Sequence, residues 1–296
     1  MTLVARYPAD LPAWRKAGRI AAEARELGAR LAVPGASRRG IAEAVEGLVR
    51  AAGAEPAFPA NLSRNVEAAH FTPDPADEAV LATGDLLKVD VGAHVGGAIA
   101  DTATTVEVGG GRTHEGLRRA VREAVDAAVA TVRPGIPVER VSAAIEAAIH
   151  ARGFKPVENL MGHSIEPYLL HAGKSIPNVT GIARGVLDEG EVIAIEPFAT
   201  NGDGRIEDGP FGNIVRFRGP PLAAASDLAP LFDRFRTLPF TARWVTEPAG
   251  PEALRRGRRY LQSYPVFVEA GGGLVAQAEH TVLVGPEGAE VLTRWP

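Results

Sequence analysis

The chain has 296 residues, 46% of them apolar and 23% charged, a composition that supports a full hydrophobic core and excludes intrinsic disorder and fibrous repeats. Its 32 basic and 36 acidic residues give a formal charge of -4, without the basic excess that a nucleic-acid binder needs to neutralise phosphates. There is no cysteine, so disulfides, thiolate metal sites and a cysteine nucleophile are excluded, and any metal must be held by His, Asp and Glu.

The opening residues MTLVARYPADLPAWRKAG carry no apolar run of the signal-peptide kind, and no later stretch offers the roughly 18 uninterrupted apolar residues of a membrane span. A cytoplasmic protein is expected. Trp14, Ile20, Ala21, Ala24, Leu27 and Leu31 recur at helical spacing and predict an amphipathic helix over 11–31, ended by Val33-Pro34-Gly35. Further helices are predicted over 39–52, 113–132 and 137–151, the last two split by Arg133-Pro134-Gly135, with Pro137 in the first turn. Segments rich in Val, Ile and Thr predict strands over 86–92, 98–108, 191–199, 266–269 and 280–284. Helices and strands mix without strict alternation, which implies an α+β fold. The chain divides near residue 150 into two halves, each with helices and acid-bearing strands. Between 201 and 264 a Gly-Pro-Pro, a helical pattern around 227–236 and an arginine-rich run over 251–260 predict a small helical subdomain inserted between two strands. The glycine triplets at 109–111 and 271–273 are turns, since no phosphate-loop pattern surrounds them.

Asp90 and Asp101 lie in strand-like segments on either side of a glycine-rich turn. A two-residue turn at Val95-Gly96 would set them directly opposite each other. Two acids among apolar neighbours repel and are costly to bury, unless a cation sits between them. Glu196 ends the apolar run Val192-Ile193-Ala194-Ile195, Glu279 precedes the similar run from His280 to Val284, and His163 lies in Met161-Gly162-His163-Ser164-Ile165. Together these five side chains supply four carboxylates and one imidazole, an all-N/O set suited to Mn, Fe, Co or Zn. Two divalent cations would neutralise the four carboxylates, as in two-metal hydrolytic centres.

The order of Asp90, Asp101, Gly162-His163-Ser164, Ile195-Glu196-Pro197-Phe198 and Ala278-Glu279-His280-Thr281 resembles the metallopeptidases of the pita-bread fold, and most closely the type 2 methionine aminopeptidases. The resemblance covers nearly the whole chain and includes Ala57-Phe58-Pro59-Ala60-Asn61, Ala69-His70-Phe71 and His171-Ala172-Gly173-Lys174. The 82 residues between Glu196 and Glu279 fit the helical insertion of type 2, which type 1 lacks. The resemblance implies one pita-bread catalytic domain over 1–296, with two pseudo-symmetric halves, antiparallel sheets flanked by helices, and the insertion at 201–264. It implies two divalent ions, one on Asp90, the other on His163 and Glu196, with Asp101 and Glu279 bridging both. It further implies Glu196 as proton shuttle, His70 and His171 as hydrogen-bonding groups beside the scissile peptide, and Phe58, Leu170, Phe198 and Tyr264 as the wall of a methionine pocket. The implied activity is removal of initiator methionine before a small second residue. The expected partners are nascent polypeptide N-termini, with no nucleic acid and no membrane, acted on by a monomer. Asn65-Val66-Glu67 departs from the family by placing valine where an acid is usual. Two rivals share the scaffold. Proline-specific peptidases use the same five ligands but usually carry a sizeable preceding domain, for which the 89 residues before Asp90 leave no room. Growth-regulatory binding proteins of this fold have lost the ligands, which are complete here.

Overall fold

The structure is a computed structural model in which residues 8–221, 228–246 and 250–295 are described. Residues 1–7 and 222–227, on which the signal-peptide reading and the 227–236 pattern fall in part, lie outside them. Among the described residues no helix is long and apolar enough to cross a membrane.

In chain order the helices are α1 (Leu11–Leu31), α2 (Arg38–Ala51), α3 (Glu115–Thr131), α4 (Val138–Ala151), α5 (Ala229–Phe235) and α6 (Gly250–Arg256). The strands of the first part are β1 (Glu55–Arg64), β2 (Glu67–Ala69), β3 (Leu86–Val95) and β4 (Ala98–Glu107). The middle of the chain gives β5 (Lys155–Pro156), β6 (Met161–Ile165), β7 (Ser175–Pro177), β8 (Val192–Ile195) and β9 (Phe198–Thr200). The remainder are β10 (Ile206–Phe217), β11 (Phe240–Thr241), β12 (Leu261–Glu269), β13 (Val275–Gln277), β14 (His280–Gly285) and β15 (Gly288–Val291).

Local chemistry sets the helix ends. Asp10 caps α1 by accepting from the Ala13 N–H at 3.1 Å, Pro12 occupies its first turn, and Ser37 caps α2 through the Gly40 N–H at 3.0 Å. Pro137 stands one position before α4 instead of within it, in extended conformation with ψ 134°, because it also pairs with Val186 in an isolated bridge. The buried stripe of α1 (Trp14, Ala17, Ile20, Ala21, Ala24) and that of α2 pack on the three-stranded sheet β1-β3-β4. Helices α3 and α4 pack in the same way on strands of the second half, burying Val121, Val125, Val141 and Ile145 against Ile193, Ile195 and Val282. All sheet pairings are antiparallel, with orders β1-β3-β4, β11-β10-β12-β2, β13-β9-β5 and β15-β14-β8-β6-β7.

The two halves repeat each other down to single hydrogen bonds. Gly35 donates to Leu81 O at 2.8 Å and Gly135 to Leu187 O at 2.7 Å; Leu81 donates back to Ala36 O at 2.8 Å and Leu187 to Ile136 O at 2.9 Å. Because α3 and α4 belong to the second half, the division falls in the turn near residues 109–114, not near residue 150.

Three sequence expectations change. The β3–β4 turn is Gly96-Gly97, with φ of 58° and 97°, so Asp90 faces Ala103 and Asp101 faces Gly92. A tight two-residue hairpin requires left-handed backbone at both central positions, which two glycines supply and Val95 would resist. The expected strand over 191–199 is cut in two at Glu196-Pro197, since proline has no N–H to extend the ladder. The interval 201–264 is helical only from α5 to α6 and the single-turn helix Arg258–Tyr260; its first part is the long strand β10, paired with β12. Pro210 and its glycine neighbours hide that strand, and they are tolerated because the ladder shifts register between Asp208 and Phe211 and again before Val215. The prolines of β1 are accommodated the same way, at register shifts flanking Phe58.

A buried ion pair ties the segment between β10 and β12 to α2. The Glu46 carboxylate on α2 accepts from Arg243 Nη1 at 3.0 Å and Nη2 at 2.9 Å, from Trp244 Nε1 at 2.7 Å, and from the Ala60 N–H of β1 at 3.2 Å. Arg243 also donates to Pro73 O at 2.9 Å and to Thr72 Oγ1 at 3.1 Å. With side-chain exposures of 5% and 3%, removing one partner strands the other charge in the interior. Glu46→Ala is expected to cost about 3–5 kcal/mol in urea unfolding, and a loss below about 1 kcal/mol would show that the insertion does not depend on this pair.

Candidate metal centre and substrate cavity

The five metal-ligand candidates come from both halves. Asp90 and Asp101 stand on one face of the β3–β4 hairpin as diagonal neighbours, two residues off the direct pairing. His163 is on β6 opposite Ala194 of β8, Glu196 follows the end of β8, and Glu279 lies between β13 and β14.

Because β4 and β13–β14 belong to different sheets, side chains join them. Thr281 Oγ1 accepts from the Asp101 N–H and donates to Asp101 O, both at 2.7 Å. Thr105 Oγ1 does the same with Gln277, accepting from its N–H at 2.8 Å and donating to its carbonyl at 2.7 Å. Thr102 Oγ1 donates to Glu279 O at 2.8 Å, and the Glu279 N–H donates to Ala103 O at 3.0 Å. Asp101 and Glu279 are thereby fixed to each other across the seam through their own backbones.

Their side chains converge. One ligand atom each from Asp101, His163 and Glu279 lie within 4.8 Å of one another, and His163 Nε2 is 3.8 Å from Asp101 Oδ2 and 3.6 Å from Glu196 Oε1. Asp90, Asp101, His163 and Glu279 are buried, and the Glu196 side chain is 15% exposed. Asp90 accepts a long bond of 3.4 Å from Asn61 Nδ2, and Glu279 one of 3.2 Å from Gln277 Nε2. Among the described residues Asp90 Oδ1, Asp101 Oδ1 and Glu279 Oε1 are buried without any hydrogen-bond partner, an arrangement that is expensive for ionised oxygen.

The electrostatics agree. Burial pushes Asp90 up to about 6. Burial first, then repulsion from the neighbouring acids, lifts Asp101, Glu196 and Glu279 well above the usual carboxylate range. Burial pulls His163 down to about 3, so its ring is neutral. With Nδ1 directed at Ser164 O, 3.4 Å away, the Nε2 lone pair faces the carboxylates. A neutral imidazole lone pair converges with acids whose repulsion a cation would relieve, which is the donor set of a divalent cation site with N/O ligands.

All of the sequence-chosen pocket residues line the same cavity of about 210 Å³. Phe58, Leu170, Phe198 and Tyr264 form apolar wall beside the ligands. Phe58 reaches inward at the β1 register shift and lies over Gly92, where a Cβ would come within 2.3 Å of its ring. His70 adopts left-handed backbone, φ 66°, with its ring edge-on to Tyr264 at 5.2 Å and tilted on Phe267 at 4.5 Å. Burial lowers it to about 4, leaving a neutral imidazole. His171 is at the exposed mouth with its ring 4.4 Å from that of His163, and it is pulled below its ordinary value by partial desolvation and by the Arg216 charge. Sequence reasoning missed Ile214, Pro239 and Phe267, which also line the cavity. Only the β10–β12 pairing brings the first and last of these there, and the prolines and glycines of β10 conceal it.

Removing a seam ligand should remove the cation. In differential scanning calorimetry of chelator-stripped protein, a saturating divalent ion should stabilise by about 3 kcal/mol at one hundred times its Kd. Asp101→Ala should abolish that gain, and an undiminished gain would place the cation elsewhere.

Similar proteins were then compared. The methionine aminopeptidases of Pyrococcus horikoshii and Thermococcus kodakarensis are 43% and 45% identical to this chain, each alignment covering 94% of it and 97% of the relative. Among solved structures, the methionine aminopeptidase of Thermotoga maritima superposes with a TM-score of 0.74 at 25% identity, covering 98% of this chain and 99% of that one. A thermophilic Arx1 reaches a TM-score of 0.84 at 18% identity, covering 97% of this chain and 91% of that one. The prolidase of Pyrococcus furiosus reaches 0.65 at 19% identity, and there the match covers 98% of this chain and 65% of the other. These two share the fold. With residues 13–286 matching the sequence model of the family and the ligand cluster in place, the chain belongs to metallopeptidase family M24.

Proposed function

We propose that the protein is a metal-dependent aminopeptidase that removes initiator methionine from polypeptides whose second residue is small. The observation that carries this reading is the convergence of three buried acids, the partly buried Glu196 and a neutral imidazole in a cavity that also has an apolar wall, with room for one side chain. The donor set fits two divalent ions, drawn from Mn, Fe, Co and Zn, of which Asp90 would hold one and His163 and Glu196 the other, with Asp101 and Glu279 serving both. Bound there, such ions supply Lewis acidity and lower the pKa of a water.

The chain's own residues do the rest. Phe58, Leu170, Phe198 and Tyr264 hold an unbranched thioether, whose sulfur packs well at ring edges. The restricted size of the cavity admits one side chain beside the free α-amine, which confines hydrolysis to the first residue. His70 and His171, both neutral, each offer one N–H to the scissile carbonyl or its neighbour. Glu196, raised above its ordinary pKa and slightly exposed, takes the proton of the attacking water on its carboxylate and passes it to the leaving amine as the C–N bond breaks. The substrates are nascent chain N-termini, which places the enzyme in the cytoplasm; it acts as a monomer.

Chelator-stripped protein resupplied separately with Mn, Co, Fe and Zn is expected to release methionine from Met-Ala-Ser, and to leave Leu-Ala-Ser and Ala-Pro intact, as followed by mass spectrometry. Cleavage before proline would move the enzyme to the prolidase branch, and no cleavage with any metal would favour a binding protein. His171→Ala should lower kcat by about 10² with unchanged metal content, and an unchanged rate would strip His171 of its role.

A further inference from the structure

The ladder between β10 and β12 sorts its side chains onto two faces. Phe217 and Leu261, joined by the partly buried Val215, enter the aromatic core of the insertion. Alternation along the strands puts Ile214, Arg216, Gln262 and Tyr264 on the other face, where Ile214 and Tyr264 line the substrate cavity. Arg216 is directly paired with Gln262. It therefore stands one step farther along β10 than Ile214, about 7 Å along the strand, outside the cavity and half-exposed.

Its hydrogen bonding is half used. Arg216 Nε and Nη2 both donate to Gln262 Oε1, at 3.1 Å and 2.8 Å. Among the described residues Nη1 makes no hydrogen bond and no carboxylate lies within ion-pair distance of the guanidinium. One side of the planar fork is thus held rigidly by a neutral amide while its outer edge, Nη1 and Nη2, stays open in the geometry that takes a carboxylate through two bonds. Its charge is felt by Tyr264 on one side of the mouth and by His171 on another, which places it beside the path of a peptide leaving the cavity. An extended peptide rises about 3.3 Å per residue, so a group near 7 Å from the cavity edge meets the third residue.

We infer that Arg216 forms a carboxylate subsite at the cavity mouth, which favours substrates carrying an acidic group at the third position, either an acidic side chain or the terminal carboxylate of a tripeptide. The inference rests on the aminopeptidase reading above and extends it to a part of the substrate beyond the scissile bond.

The test compares kcat/KM of the metal-loaded enzyme for Met-Ala-Asp-amide, Met-Ala-Asn-amide, Met-Ala-Lys-amide and Met-Ala-Asn with a free C-terminus. The Asp peptide, the free acid or both should exceed the Asn amide by about two- to fivefold through KM, and the advantage should shrink as salt rises. Which of the two gains identifies the source of the carboxylate. Arg216→Lys, which keeps the charge but not the fork, should keep only part of the preference, Arg216→Gln should bring the ratios to one, and Arg216→Glu should turn the preference toward the Lys peptide. Cleavage of all four peptides at equal efficiency, or ratios that survive in Arg216→Gln, would overturn the subsite while leaving the aminopeptidase reading intact. Failure to cleave even the Asn amide would instead sink the reading itself.

Discussion

Four carboxylates pointed at one another, three of them buried and Glu196 nearly so, are the constraint on which the rest of this fold depends. Left to themselves such groups take up protons, as their raised pKa values record, or rotate to water or open the structure. The last two are opposed because each is carried by backbone held in place. Asp90 and Asp101 are fixed by a full hairpin ladder, Glu196 by the proline that ends its strand, and Glu279 by hydrogen bonds to the opposite half. The helix pairs behind each sheet supply the apolar burial that offsets the repulsion.

Much of this was legible in the sequence, for reasons that can be named. Helix α1 follows from an unbroken 3.6-residue apolar pattern with a cap and a proline start. The clustering of the four acids was legible because each stands next to a run of apolar or β-branched residues that has no other reason to carry a charge. What failed was geometry set by backbone sign or by tertiary pairing. The β3–β4 register turned on which two residues take positive φ. The strands β1 and β10 carry prolines that read as breaks until a bulge absorbs them. The left-handed backbone at His70 has no local signal, being held by Tyr264 and Phe267 from a strand some two hundred residues away. The boundary between the halves was misplaced because their equivalence is written in loop hydrogen bonds, not in similar residues.

The segment from β10 to β12 becomes part of the site without supplying any of the five clustered groups. It contributes Ile214, Pro239 and Tyr264 to the cavity while resting on Glu46 of α2, whose carboxylate also holds Ala60 between Phe58 and Asn61. A single buried acid thus references three walls of the cavity to one another. The same stretch of chain can be read as a rigid extension of the substrate surface, in keeping with its stacked aromatic core of Phe217, Phe235, Phe240 and Trp244.

The threonines at the seam have a consequence of their own. A hydroxyl that both donates to and accepts from one opposing residue imitates a rung of a β-ladder, but with a side chain's length added to it. Thr105 and Thr281 therefore let the two halves recognise each other in register on either side of the direct bond from the Glu279 N–H to Ala103 O, without a continuous ladder between the sheets. Direct pairing would bring the strands to about 4.8 Å and leave no volume between the acids. Valine, equal in shape but mute, would lose the registration; a direct ladder would lose the space. The spacer is what makes the meeting of two nearly identical halves a chamber instead of a joint.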